Sequence, residues 1–159
     1  MLFRSWNDLW LNESFAEYTS TLAVAETTRW LDAWTTFQTA EKSWAYNQDQ
    51  LSSTHPVAAE IRDLHDVEVN FDGITYAKGA SVLSALVAYV GRANFFAGIA
   101  SYLARHAYAN ATLEDLLREL EATSGRDLGT WTRLWLQEAG VTLLDNRSEE
   151  RRVGKECRS

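Results

Sequence analysis

The sequence predicts an all-α fold, and two observations carry that expectation. Apolar residues recur at helical spacing along most of the chain. The stripes they form open at residues suited to N-caps, Asp8, Asp72, Thr112 and Asp127, and stop at Gly91, Gly125 and Gly140. About five or six helices and essentially no sheet are expected between residues 8 and 140. With 159 residues, 46% of them hydrophobic, the chain has material for one domain with its own core.

The first helix is expected from about Asp8 to Thr27, with Asn7 or Asp8 as N-cap and the β-branched pair Thr27-Thr28 at its end. At about 100° per residue, Leu11, Phe15, Tyr18, Leu22 and Ala25 form one stripe, and Trp6, Leu9, Glu13 and Ala16 fall roughly opposite. A helix apolar on two sides is buried. That reading sets Glu13 in a wall of Trp, Leu and Ala, where a carboxylate needs a cation, strong donors or a proton. A metal ion is one candidate partner.

A second helical pattern runs from Trp30 to about Gln48, with Leu31, Trp34, Phe37, Trp44 and Tyr46 expected on its packed side. Aromatic residues at that spacing read as core rather than as a sugar-stacking face. From Leu51 to Asn70 the periodicity fails around the only proline, Pro56, and a long loop is expected, of the kind that often lines a site. Asp72 then caps FDGITYAKGASVLSALVAYVG, whose core stripe is Ile74, Val82, Leu83, Leu86 and Val90 and whose stop is Gly91. Asn94 to about Tyr108 follows, with Phe95, Ile99, Tyr102 and Leu103 facing inward. Thr112 and Asp115 make a capping-box signature for TLEDLLRELEATSG, and Asp127 opens LGTWTRLWLQEAG. No internal repeat is visible.

A formal charge of −7 argues against a nucleic-acid or anionic-membrane surface, since both need clustered Lys and Arg. No apolar run reaches the roughly 18 residues of a membrane span, and no signal-peptide pattern is seen. The single cysteine, Cys157, is compatible with a reducing compartment, and a cytoplasmic location is expected. The ends differ in character from the rest. RSEERRVGKECRS (147–159) lacks any period and, with MLFRS (1–5), looks like translated sequencing adapter, which leaves 6–146 as the natural part, an internal piece of a longer chain. Without the tail's five positive and three negative charges the formal −7 becomes −9.

The block WNDLWLNESFAEY resembles the zinc-ligand segment of the M1 family of metallo-aminopeptidases, in which an HExxH helix is followed by the glutamate of such a block. The resemblance continues through residues 51 to 144. It implies that Glu13 is the third protein ligand to a zinc ion, Zn2+. FDGITYAKGASVL likewise resembles the family segment whose tyrosine donates to the oxyanion of the tetrahedral intermediate, which implies that role for Tyr76. By itself Tyr76 also reads as a rim residue on the first turn of a helix. THPV resembles a stretch near the family's active-site cleft, and no catalytic role is carried onto His55. The fold implied is the helical half of a thermolysin-like (gluzincin) catalytic domain. The substrates implied are peptides with a free N-terminus.

The chain departs from the family pattern in two places. It contains no HExxH, and His55, His65 and His106 lack the spacing to replace it, so they read as a loop or core, a loop and a helix-surface histidine. By the family spacing both histidine ligands and the general-base glutamate would precede Met1. The G-x-M-E-N segment that recognises the substrate amine is absent too. Glu17, one turn after Glu13, reads as a solvated or supporting group. The expectation is therefore part of a zinc aminopeptidase that is inactive alone. The alternative is an all-helical interaction or scaffold module, which has no reason to bring Glu13 and Tyr76 to one cavity.

Overall fold

The computed structural model describes residues 8–141. Among them there is no β-strand, and the helices enclose one continuous apolar core, as the periodicity requires. The adapter-like ends, Trp6 and Asn7 lie outside the described residues.

Helix α1 (Leu9–Thr27) buries Trp10, Leu11, Ser14 and Tyr18, and its second half rises out of the core. Two-sided burial is not what forms: Ala16 is exposed and Glu13 is only half-buried. Asp8 stands at the N-cap position but makes no side-chain cap there. Its buried carboxylate instead accepts from the Leu113 amide and ties the start of α1 to the start of a distant helix.

The expected single helix over 30–48 is two, α2 (Ala33–Thr39) and α3 (Glu41–Asp49). The helical run breaks at Ala40, whose φ of −99° and ψ of −71° depart from the helical values, and the aromatic stripe changes register there. Trp34 and Phe37 pack, whereas Leu31 (81% exposed), Trp44 and Tyr46 are on the surface and Ala45 and Asp49 face inward instead.

The long loop is interrupted by α4 (Leu64–Val69), whose N-cap Asp63 accepts from the Asp66 amide at 2.9 Å. His65 is therefore an exposed helical residue rather than a loop residue. Next comes a widened turn, Ile74–Lys78, that runs directly into α5 (Gly79–Val90), and the full stripe of Ile74, Val82, Leu83, Leu86 and Val90 is buried as expected. Gly91, at φ 87°, ends α5 in a conformation that L side chains rarely adopt.

Helices α6 (Arg92–Arg105) and α7 (Leu113–Ser124) pack tightly on each other. Phe95, Ile99 and Tyr102 point inward from α6, while Leu103 is half-exposed. The capping box of Thr112 and Asp115 forms as read. The last pattern yields only the short α8 (Gly129–Thr132) and a second widened turn, Arg133–Gln137, so the described residues hold eight α-helical pieces rather than five or six. The N-cap of α8 is Leu128, and Asp127 just before it accepts from the Gly129 amide at 2.8 Å.

Candidate active site

Tyr76 sits in a turn held from two sides. Asp72 caps its turn: Oδ1 accepts from the Ile74 amide (2.9 Å) and the Thr75 amide (3.0 Å). Gln48 of α3 closes the other side, accepting from the Gly73 amide at 2.8 Å and donating to Asp72 Oδ2. The Gly73 carbonyl then accepts from both Ala77 (3.0 Å) and Lys78 (2.9 Å). The second of these bonds spans five residues, the π-helical spacing that recurs at functional sites.

The turn is fastened to α1 one residue away from each candidate. Ser14, fully buried, donates from Oγ to the Thr75 carbonyl at 2.6 Å. Gly79 permits this approach, because a Cβ there would lie 1.9 Å from Ser14 Oγ. Glu13 precedes Ser14 and Tyr76 follows Thr75, so the bond between the buried pair brings the half-buried pair together. The Tyr76 hydroxyl faces the Glu13 carboxylate, and its pKa is pushed up to about 12, first by burial and then by hydrogen bonding to Glu13 and the Glu13 charge. Phe71, largely exposed, lies with its ring 6.3 Å from that of Tyr76.

Other polar groups on this helix serve different ends. Lys78 pairs with Asp49 at 2.9 Å and donates to the Gly140 carbonyl at 3.0 Å, which links α3, the widened turn and the end of the described chain. A cavity of about 420 Å3 lined by Asp49, Lys78, Tyr46 and Trp135 opens beside this pair, and neither Glu13 nor Tyr76 lines it. Glu17 is half-buried next to Glu41, and burial first and that like charge second raise its pKa. The histidines stay apart from Glu13: His55 bonds Asp72, His65 is exposed, and His106 lies 5.4 Å from the Tyr102 ring.

A zinc site of catalytic type takes about three protein ligands. Among the described residues no three His, Cys, Asp or Glu side chains gather as a metal-binding group. Glu13 can offer one carboxylate, so these residues alone do not make a metal site.

A model of the Peptidase family M1 domain matches residues 1–135. The chain belongs to peptidase family M1. It is 60% identical over 141 residues to an aminopeptidase N of Streptomyces lividans, covering 87% of this chain and 16% of that protein. It is 42% identical to a probable aminopeptidase 2 of Sulfurisphaera tokodaii (87% and 18% covered) and 37% identical to a leucyl aminopeptidase of Saccharolobus solfataricus (95% and 19% covered). The chain thus spans under a fifth of these relatives. M1 enzymes are metallopeptidases, so a metal cofactor belongs to the family, and the described part of this M1 chain is its helical portion. No single described helix is long and apolar enough to cross a membrane.

Several residues that hold Glu13 and Tyr76 in place are not evident from the sequence. Ser14 lay unnoticed beside Glu13, and Gln48 sat on what reads as a wet face. The available signal was Gly79: a glycine inside a helical pattern marks close approach of something else.

Proposed function

We propose that this chain is the helical part of an M1 zinc aminopeptidase that removes N-terminal residues from peptides with a free N-terminus. In this reading Glu13 is one zinc ligand and Tyr76 stabilises the transition state. The observation that carries it is that the buried Ser14–Thr75 bond brings together Glu13 and Tyr76, two residues singled out from separate segments, closely enough for the Glu13 charge to act on the Tyr76 hydroxyl. A scaffold would need no such convergence. The names of the relatives, aminopeptidase N and leucyl aminopeptidase among them, support the same chemistry.

The metal, when bound, supplies Lewis acidity at the scissile carbonyl. The chain's own contribution is a prepositioned donor. Negative charge grows on the carbonyl oxygen as the tetrahedral intermediate forms, and a fixed O–H aimed at that oxygen stabilises it without reorganising. With its pKa near 12, Tyr76 keeps its proton at neutral pH and remains a donor throughout. Ser14 and Asp72 keep the backbones of Glu13 and Tyr76 still.

The test uses a complete M1 enzyme carrying this segment. Tyr76→Phe keeps the ring and removes the donor, so kcat on an amino-acid anilide should fall by about 10² to 10³, roughly 2.7 to 4 kcal/mol, with metal content intact. Glu13→Gln should lower metal content and activity together. Near-normal kcat in metal-loaded Tyr76→Phe would remove the oxyanion assignment.

A further inference from the structure

His55 has partners that its place in an irregular loop does not announce. Nδ1 lies 2.8 Å from the Pro56 carbonyl oxygen and Nε2 lies 2.9 Å from Asp72 Oδ2. Both partners only accept. A neutral imidazole donates from one ring nitrogen and accepts at the other, so it can satisfy one of these contacts and must turn a lone pair toward the second. The imidazolium satisfies both. Asp72 already receives the Ile74 and Thr75 amides and the Gln48 side chain, a donor set suited to a carboxylate that faces a cation. Both side chains are largely shielded, His55 at 21% and Asp72 at 12% exposure, so the contact is not a screened surface pair.

We propose that His55 is a positioning residue for Tyr76: an imidazolium whose two N–H groups strap the loop after α3 onto Asp72 and so hold the turn that presents the Tyr76 hydroxyl. Its catalytic consequence rests on the reading of Tyr76 as oxyanion donor, whereas the strap is a property of this chain alone. Asp72 is the hub. One oxygen caps the Tyr76 turn, the other receives His55 and Gln48, and loss of a donor from the second oxygen loosens what the first one holds.

The charged groups that act on His55 are Asp72 and Lys78, and Lys78 is itself paired with Asp49 at 2.9 Å. Burial, the largest single influence, pulls the His55 pKa down, and Lys78 adds to this. The hydrogen bonds to Asp72 and the Pro56 carbonyl, with the Asp72 charge, more than reverse it, leaving the value above the ordinary 6.5. A raised folded value means that the stabilisation is fully present below 6.5 and is lost as pH rises through the folded value. The strap therefore loosens on the alkaline side.

The test is an NMR titration of the 15N-labelled chain between about pH 5.5 and 9, where histidine changes charge. Both ring nitrogens of His55 should be protonated at the acid end, with a midpoint above the ordinary 6.5, and the Ile74 and Thr75 amide resonances should move with the His55 midpoint. In His55→Gln those amides should cease to titrate. In a complete M1 enzyme the same substitution should lower kcat about tenfold, the worth of one hydrogen bond, with KM and metal content unchanged. A His55 midpoint at or below the ordinary 6.5, or Ile74 and Thr75 amides that stay still while His55 titrates, would overturn the strap. The wild-type titration decides this whether or not the variant folds. Full activity in Tyr76→Phe would instead remove the oxyanion reading and leave the strap standing.

Discussion

Asp8 is a carboxylate buried beside two others, and it shows what one side chain can cost. Desolvation raises its pKa, and the charges of Glu114 and Asp115 raise it further, against the lowering bond from the Leu113 amide. A raised folded value means that its favourable contribution is present below the unfolded value of 3.8 and lost as pH climbs through the folded one. Asp8→Asn keeps an oxygen for Leu113 and removes the charge, so it should stabilise the fold at pH 7 and make little difference near pH 3. Urea unfolding at the two pH values measures this, and a variant less stable at pH 7 would mean that the charge is needed. At this scale the sequence exposed residues set in long motifs, Glu13 and Tyr76. It misassigned Asp8 to its own helix because the partner, Leu113, is remote in sequence. His55 and Asp72 were each visible, His55 in THPV and Asp72 as a cap, but nothing in their spacing joined them.

Helix against helix, the site depends on how closely α1 meets the start of α5. Ser14 Oγ occupies the space that a side chain at residue 79 would need. Gly79→Ala should therefore cost about 1 to 3 kcal/mol, the usual penalty of overpacking, despite the better helix propensity of alanine. In a Ser14→Gly background the same change should cost less, and a double-mutant cycle from urea curves should return a coupling of about 0.5 to 3 kcal/mol. Independent costs would show that the two residues do not contend for one space. The elements themselves were legible wherever local chemistry ended them. The capping box of α7 and the stop at Gly91 both follow from residues within a turn of the boundary. The break between α2 and α3 was not legible, because neither glycine nor proline marks Ala40 and the helical pattern runs through it. Once the helix breaks, a stripe drawn on one straight cylinder assigns Trp44 and Tyr46 to the wrong face.

For the molecule as a whole, the apolar pattern was enough to give an all-helical body, because burial of stripes is a sum over many residues and tolerates local errors. A metal centre has no such tolerance. Its affinity comes from several ligands fixed at once, and each missing ligand removes a large part of it. Glu13 is half-buried, already engaged by Tyr76, and not part of any described three-residue ligand group. The sequence contains no HExxH to complete the set. Zinc titrated into the 159-residue chain in a calorimeter should therefore give no tight one-to-one heat, and chelation should leave its thermal unfolding unchanged. Tight stoichiometric binding that disappears in Glu13→Gln would mean that further ligands converge on Glu13 in solution. Tight binding that survives Glu13→Gln would place the metal elsewhere and leave the role of Glu13 to be decided by the metal content of the complete enzyme.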